Sequence, residues 1–265
     1  MSDRRRRALV TGASSGIGAA YARRLAAQGY DLVITARRED RLDSLSGELG
    51  ATHGVEVLSV VLDLAKPDAV TRLVEVLDAN SIEVDYLVCN AGYALDQDFL
   101  DAEYQRHHDF LQVLLGSLVE LSHALSPGMV ERGWGRIVNV ASVASYLSLT
   151  PGSLYGPVKS FVLAFSRSLK ASLHSQGVHV TALCPGYTRT EFFRNIGVED
   201  KVFGMPGFLL LDVDHVVAAS DRAVERGKSV CIPGFFYKVL IFSSRFLPLG
   251  IFASRKFRQT LPTSR

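Results

Sequence analysis

The chain has 265 residues, of which 48% are hydrophobic and 21% are charged, and its formal net charge is +2. This composition excludes a disordered protein, and so small a net charge gives no strong field to attract nucleic acid. The three cysteines lack C-x-x-C spacing, which favours buried free thiols in a reducing, cytoplasmic setting. The seven histidines show no metal-ligand spacing, so no metal site is expected.

The chain begins with a basic run, Arg4–Arg7, which is interpreted as a solvated N-terminal tail. This run leaves no room for the apolar core of a signal peptide before the first strand pattern. We expect one domain over residues 1–232 and a tail over residues 233–265 that is not an independent domain.

Short apolar runs alternate with amphipathic helical patterns along most of the chain. This alternation predicts right-handed βαβ units and an α/β fold, with a doubly wound parallel sheet of about seven strands and helices on both faces. The predicted strands are Ala8–Thr11, Asp31–Ala36, Val55–Leu62, Tyr86–Asn90, Arg136–Ala141, Val178–Cys184 and Ser229–Ile232. The predicted helices are Gly16–Gln28, Glu39–Gly50, Pro67–Asn80, Phe99–Arg132, Leu154–Ser175 and Val213–Arg226. Residues Tyr187–Leu211 and the chain from Pro233 onward are expected to be irregular.

A glycine-rich turn, Thr11–Gly18, joins the first strand to the first helix. Gly12 permits a tight turn, Gly16 allows backbone to approach a pyrophosphate, and Gly18 lets the helix lie close to the sheet. The free N–H groups of the helix N-terminus then favour an anion. The spacing is G-x-x-x-G-x-G, so an ordinary βα turn is the alternative interpretation.

Ligands of such sheets bind beyond the carboxyl ends of the strands, and polar or small residues stand at several of these ends. Arg37 and Arg38 follow the second strand, where a carboxylate would bind the ribose of NAD. Two guanidiniums suit a 2′-phosphate instead, although a solvated pair at a helix end is the alternative. Asp63 and Leu64 follow the third strand, and Asn90–Gly92 follow the fourth.

Ser142 follows the fifth strand, and Tyr155 and Lys159 lie one helical turn apart beyond it. A phenol with a pKa of about 10 is a poor base, but a nearby ammonium favours its ionised form. Tyr155 could then serve as a general acid or base, and Ser142 could donate to a substrate carbonyl oxygen. Taken singly, these residues could be a half-buried aromatic, a surface cation and a strand-end cap.

In these motifs the chain resembles the short-chain dehydrogenase/reductase family from Ala8 to about Ile232, including the segment Pro185–Thr190. The resemblance implies a Rossmann-type fold, the cofactor NADP(H), and hydride transfer between the nicotinamide and a carbonyl or alcohol. It implies that Tyr155 donates the proton, Lys159 lowers the pKa of Tyr155 and holds the nicotinamide ribose, and Ser142 orients the substrate. It also implies that Arg37 binds the 2′-phosphate. Within the family, the chain most resembles a bacterial subgroup of ketone and acyl reductases. The expected cofactor-binding residues are Gly12, Ser14, Ser15, Gly16, Ile17, Gly18, Arg37, Arg38, Asp63, Leu64, Asn90, Ala91, Gly92, Tyr155, Lys159, Pro185, Gly186, Thr188 and Thr190.

The chain departs from the family pattern at two positions. Leu114 stands where the family usually has an asparagine that anchors a water in a proton relay, and leucine has no hydrogen-bonding side-chain atom. The relay must be rebuilt by another group, or turnover is slow, or the enzyme is degenerate. Pro157 lies between Tyr155 and Lys159, which is tolerable only if the helix starts just before it.

The C-terminal tail is apolar and basic. From Ile232 to Arg265 it carries six basic residues and no acidic one, together with several aromatic residues. Such a segment suits an anionic membrane surface, and residues 235–258 are the expected contact. The alternative is that the tail packs over the substrate cleft or against a second subunit.

We therefore expect an NADP-dependent ketone reductase or alcohol dehydrogenase. Its expected substrate is a small molecule, an apolar or long-chain ketone, and no nucleic-acid partner is expected. A homo-oligomer, dimer or tetramer, is also expected, either cytoplasmic or peripheral to the inner membrane surface. The alternative function is a catalytically weak NADP-binding sensor or scaffold, which Leu114 favours and the intact Ser142, Tyr155 and Lys159 oppose.

Overall fold

The structure, a computed structural model, describes residues 4–95, 97, 99–147 and 153–244, without the side chains of residues 195 and 196. It contains one seven-stranded parallel sheet in the order β3-β2-β1-β4-β5-β6-β7. The strands are β1 Arg7–Thr11, β2 Asp31–Ala36, β3 Val57–Val61, β4 Tyr86–Cys89, β5 Gly135–Val140, β6 Val178–Leu183 and β7 Val230–Cys231. The predicted doubly wound α/β sheet is confirmed.

Nine α-helices accompany the sheet within the described residues. They are α1 Gly16–Ala27, α2 Glu39–His53, α3 Ala69–Ala79, α4 Tyr104–Leu111, α5 Ser117–Glu131, α6 Tyr155–Leu173, α7 Glu199–Phe203, α8 Val213–Glu225 and α9 Phe235–Ser244. A π-helical turn, Gln112–Gly116, joins α4 to α5, and a 3₁₀ turn, Glu191–Ile196, precedes α7. The single helix predicted over Phe99–Arg132 is therefore three elements.

Two hydrophobic cores lie on opposite faces of the sheet. One holds the apolar faces of α1, α2 and α8, and the other holds those of α3, α5 and α6. The run Tyr104–Glu131 is long and apolar enough to cross a membrane, alone among the described helices. Its Phe110, Leu118 and Leu121 are buried against the sheet, however, as in the core helix of a globular domain.

The N-terminal basic run is not a solvated tail, and that prediction was wrong. The guanidinium of Arg4 donates to both carboxylate oxygens of buried Asp85 at 2.8 and 2.9 Å. The guanidinium of Arg6 lies 3.8 Å from the centre of the Trp134 ring, and Arg7 begins β1. A buried carboxylate and an aromatic face draw these cations onto the domain.

The two segments predicted to be irregular contain helices. The 3₁₀ turn and α7 lie within Tyr187–Leu211, and α9 follows Pro233. Tyr237 and Ile241 of α9 are buried, so the first part of the tail packs on the domain. Residues 245–265 of the predicted tail lie outside the described residues.

Candidate active site

The glycine turn between β1 and α1 is packed too tightly for larger residues. A Cβ on Gly12 would lie 2.8 Å from Cα of Ala91, and one on Gly18 would lie 2.3 Å from the carbonyl oxygen of Gly12. Gly12 also has φ +65°, which favours glycine. The helix therefore lies directly against the turn, as the sequence predicts.

The start of α1 is suited to bind a phosphate group. Its first turn holds no acidic residue, and the side chain of the N-cap residue Ser15 makes no capping hydrogen bond. The first N–H groups of a helix lack intrahelical partners, so they remain available to an anion. The turn and helix start thus fit the pyrophosphate of a dinucleotide.

Asn90 holds the turn after β4 against the glycine turn. Its side-chain amide donates to the carbonyls of Thr11 and Gly12 at 3.0 and 3.1 Å. The hydroxyl of Thr11 accepts from the backbone N–H groups of Asn90 and Ala91, both at 3.0 Å. These bonds position the small residues Ala91 and Gly92 beside the phosphate turn.

The two arginines after β2 have different positions. The guanidinium of Arg38 donates to the hydroxyl of Ser14 at 3.0 and 3.2 Å and lies 3.1 Å from a carboxylate oxygen of Glu191. Arg37 is exposed and makes no hydrogen bond or ion pair within the part of the chain that the structure describes. Arg38, rather than Arg37, therefore stands beside the glycine turn.

Asp63 and Leu64 form the turn after β3. The carboxylate of Asp63 accepts from the N–H of Ala65 at 3.1 Å, and Leu64 is buried. Asp63 therefore shapes the end of β3 next to the site.

Ser142, Tyr155 and Lys159 meet at the carboxyl end of β5. Ser142 follows β5 and is buried, with its hydroxyl accepting from the N–H of Ala144 at 3.1 Å. Tyr155 is half-buried at the first position of α6, and Lys159 is buried one turn later. Two serine hydrogen bonds join the segment after Ser142 to α6: the Ser145 hydroxyl donates to the Lys159 carbonyl and that of Ser160 to the Ser145 carbonyl.

Pro157 lies in the first turn of α6, which is the position at which a helix is expected to tolerate proline. The helix begins at Tyr155, and its first backbone bond runs from the N–H of Val158 to the carbonyl of Leu154 at 2.9 Å. Pro157 therefore removes no hydrogen bond from the helix interior.

The pKa of Tyr155 is shifted in the direction opposite to the expected one. Burial raises the pKa of Tyr155 to about 12, and a hydrogen bond with Ser142 offsets only part of that shift. Burial also lowers the pKa of Lys159 to about 8. The ammonium of Lys159 donates to the carbonyl of Val140 at 2.7 Å and lies 5.6 Å from the centre of the Tyr155 ring, so it does not offset the burial of the phenol.

The segment after β6 closes over the glycine turn. A Cβ on Gly16 would lie 3.2 Å from the side chain of Thr190, and the hydroxyl of Thr188 donates to the carbonyl of Gly186 at 3.0 Å. Thr190 therefore packs directly on the glycine turn.

An aromatic wall stands beside Tyr155. The ring centre of Phe192 is 5.8 Å from that of Tyr155 and 5.4 Å from that of Phe193. The ring of Phe193 also contacts Tyr187, with centres 5.6 Å apart. The space in front of the phenol is therefore bordered by apolar rings.

The first turn of α9 supports the segment after β6. A Cβ on Gly186 would lie 2.0 Å from the ring of Tyr237. The hydroxyl of Tyr237 accepts from the N–H of Tyr187 at 3.0 Å and donates to the carbonyl of Leu209. The chain just beyond Pro233 therefore belongs to the site rather than to a separate tail.

Leu114 is buried in the π-helical turn and packs beside Gly92. A Cβ on Gly92 would lie 3.4 Å from Cγ of Leu114. The position is apolar, and its side chain offers nothing to a proton relay.

Sequence reasoning missed three residues of this site: Glu191, Phe192 and Tyr237. Glu191 and Phe192 follow directly on the family motif that ends at Thr190, so their place in the chain was an available signal. Tyr237 left no comparable signal, because the 3₁₀ turn, α7, α8 and β7 lie between it and Gly186 in the chain.

Comparison with known proteins agrees with this geometry. The family model for short chain dehydrogenases matches residues 6–201. Sulfoacetaldehyde reductase 2 of Chromohalobacter salexigens is 39% identical over 186 residues, which are 69% of this chain and 73% of that protein.

Solved structures match over most of the chain. A short-chain dehydrogenase of Sphingobium yanoikuyae in complex with NADPH is 33% identical, with a TM-score of 0.80, and 91% of this chain and 94% of that chain are covered. The bulky-bulky ketone specific alcohol dehydrogenase of Comamonas testosteroni is 28% identical, with a TM-score of 0.77 and coverage of 91% and 92%. With the sheet order and the glycine turn, these matches establish that the chain is a member of the short-chain dehydrogenase family.

Proposed function

We propose that the chain is an NADP(H)-dependent reductase of apolar carbonyl compounds. The observation that carries the proposal is the arrangement at the carboxyl end of β5, where the phenol of Tyr155 stands beside Ser142 and its ring centre lies 5.8 Å from that of Phe192. A phenol that keeps its proton at neutral pH is in the state that an acid needs in order to protonate a reduced carbonyl oxygen. The related NADPH-bound dehydrogenase supports the proposed cofactor, and the bulky-ketone dehydrogenase supports an apolar carbonyl substrate.

The residues of the chain hold the cofactor in three places. The glycine turn and the start of α1 bind the pyrophosphate, Arg38 with Ser14 binds the 2′-phosphate, and Pro185–Thr190 contact the nicotinamide end. When bound, NADP(H) supplies or accepts the hydride.

The catalytic side chains act on the substrate oxygen. Ser142 donates a hydrogen bond as negative charge grows on the carbonyl oxygen, and Tyr155 transfers its proton to that oxygen. Lys159 fixes the carboxyl end of β5 through its hydrogen bond to the carbonyl of Val140. Leu114 contributes no proton path, so the phenol must regain its proton elsewhere.

The aromatic wall makes the substrate preference testable. Each substrate methylene buried against Phe192 should contribute about 0.8 kcal/mol, so a few added carbons should raise kcat/KM by one to two orders of magnitude. NADPH oxidation should be followed with ketones of increasing chain length for the wild type, Phe192→Ser and, as a control, Phe161→Ser on the exposed face of α6. A wild type without chain-length dependence, or equal loss in both variants, would contradict the proposal.

We also propose that α9 brings the enzyme to an anionic lipid surface. Phe235, Phe236, Val239 and Phe242 are exposed on α9, and Phe208 extends this apolar face, with its ring centre 5.4 Å from that of Phe236. The chain from Ile232 to Arg265 adds six basic residues and no acidic one. A segment with exposed aromatics, basic residues and no acidic residue in its sequence suits an interface of acyl chains and anionic headgroups.

Vesicle binding tests the lipid contact. The protein should sediment with vesicles containing phosphatidylserine more than with neutral vesicles, and Phe235→Ser with Phe242→Ser should reduce that binding severalfold. Equal binding to both kinds of vesicle, or no effect of the double variant, would exclude this role. The expected homo-oligomer stays a prediction, which the mass of the protein in solution would check.

A further inference from the structure

Glu191 connects the substrate side of the site to the cofactor side. It is the first residue of the 3₁₀ turn after Thr190, and one carboxylate oxygen lies 3.1 Å from the Arg38 guanidinium. The other oxygen lies 3.9 Å from the guanidinium of Arg41 on α2. A carboxylate from the segment after β6 is thus bound by the arginines that follow β2.

These contacts place Glu191 at the group proposed to bind the 2′-phosphate. The guanidinium of Arg38 that faces Glu191 also donates to the Ser14 hydroxyl, within the glycine turn. A phosphate bound by Arg38 and Ser14 would meet the Glu191 carboxylate, and the two anions would repel each other. The phosphate carries the larger charge and more acceptor oxygens, so it is the stronger partner for the guanidinium.

The neighbours of Glu191 contact the other two parts of the site. Thr190 packs over Gly16 of the phosphate turn, and the Phe192 ring stands against Tyr155. Three consecutive residues therefore touch the phosphate turn, the arginine cluster and the catalytic phenol.

We propose that Glu191 is a specificity-determining residue that competes with the 2′-phosphate of NADP(H) for Arg38. NADP(H) breaks the ion pair, whereas NAD(H), which lacks the phosphate, leaves it intact. A ligand shifts such an equilibrium only by its differential affinity for the two states, which the phosphate supplies here. The inference rests on the proposed function, in which Arg38 binds the 2′-phosphate.

Cofactor affinity tests the competition without turnover. Dissociation constants of NADPH and NADH should be measured by titration for the wild type, Glu191→Gln, Arg38→Ala and Glu199→Gln. Glu199 is the matched control, because it pairs with Arg194 of the same 3₁₀ turn and has no contact with Arg38. The Arg38–Glu191 pair is partly exposed and therefore weak, so Glu191→Gln should tighten NADPH by about two- to fivefold and change NADH less than twofold.

Each outcome of this titration decides one claim. Unchanged or weaker NADPH binding in Glu191→Gln overturns the competition, and so does equal tightening in Glu199→Gln, which would be a general charge effect. If Arg38→Ala leaves NADPH affinity unchanged, the proposed phosphate site itself is wrong. If Arg38→Ala weakens NADPH but Glu191→Gln does not tighten it, only the role of Glu191 fails.

Discussion

At the scale of single residues, two side chains that look equivalent in the sequence make different contacts in the structure. Arg37 and Arg38 are adjacent and identical, yet only Arg38 contacts Ser14 and the segment after β6. Adjacent residues at the end of a strand point to opposite sides, and the sequence does not say which side faces the cofactor. The 2′-phosphate site at this strand end stays a prediction, and Arg38 rather than Arg37 is its proposed ligand.

Substitution of the two arginines distinguishes them. Losing a charge-assisted contact to a phosphate costs about 1.5–3 kcal/mol, so Arg38→Ala should weaken NADPH by about tenfold or more. Arg37→Ala should change NADPH affinity by less than about threefold, because an exposed charge acts on the phosphate only through solvent. A larger effect of Arg37→Ala in the same titration would restore the expectation from the family resemblance.

Lys159 should give the stability of the protein a recognisable pH dependence. Burial lowers the pKa of Lys159 from 10.5 to about 8, so between these values the unfolded chain binds one more proton than the folded one. The contribution of Lys159 to the free energy of unfolding therefore rises with pH through that window, by about 3 kcal/mol in total. At pH 7, below both pKa values, the full cost of burying the charged ammonium lowers the stability.

Urea unfolding of the wild type and Lys159→Met at several pH values isolates this effect. The difference between the two proteins should grow in favour of the wild type from about pH 8 to 10.5. The comparison removes most of the contribution of Cys184, whose pKa is raised to about 12, chiefly by burial. Parallel stability curves would show that Lys159 has an ordinary pKa.

At the scale of elements, the turns and helix starts follow the sequence and the long-range contacts do not. Gly12 and Gly18 predict the tight β1–α1 turn, because only residues without a Cβ fit there. Pro157 likewise predicts the start of α6, because a residue without a backbone N–H fits only in the first turn of a helix. The contact of Tyr237 with Gly186 depends on how α9 packs, which no local pattern encodes.

The π-helical turn makes Leu114 an informative substitution. Leu114 is buried in an apolar cluster, so an asparagine there would bury an amide without partners. Leu114→Asn should lower the free energy of unfolding by about 1–3 kcal/mol and leave the rate of NADPH oxidation unchanged. Leu114→Met, of similar volume, should cost less than about 1.5 kcal/mol. A faster enzyme without loss of stability would show that a water-filled relay reaches this position.

Two truncations test how α9 supports the site. Truncation after Ser244 keeps Tyr237 and should change NADPH affinity less than about twofold. Truncation after Gly234 removes Tyr237 and leaves the N–H of Tyr187 and the carbonyl of Leu209 without their partner, so NADPH should bind roughly tenfold more weakly. If both truncated proteins bind NADPH as the full chain does, α9 has no part in holding the segment after β6.

At the scale of the whole molecule, the fold brings residues from six strand ends to one edge of the sheet. Because all seven strands are parallel, their carboxyl ends lie together, and residues far apart in the chain meet there. Ser142, Tyr155 and Lys159 were predictable as a group for this reason. Glu191 and Phe192 follow directly on the motif that ends at Thr190, but their contacts were not predictable, because the segment that carries them has no repeating pattern from which its path could be read.

The central claim is that the phenol of Tyr155 donates a proton during reduction of an apolar ketone by NADPH. The most direct measurement is kcat for NADPH oxidation with a long-chain ketone, together with the NADPH dissociation constant, for the wild type and Tyr155→Phe. The account predicts that the variant loses about 10²- to 10⁴-fold in kcat while NADPH affinity changes less than about twofold. A wild type that binds NADPH tightly but oxidises it with no ketone, or a variant as active as the wild type, would contradict the account and favour a sensor or scaffold.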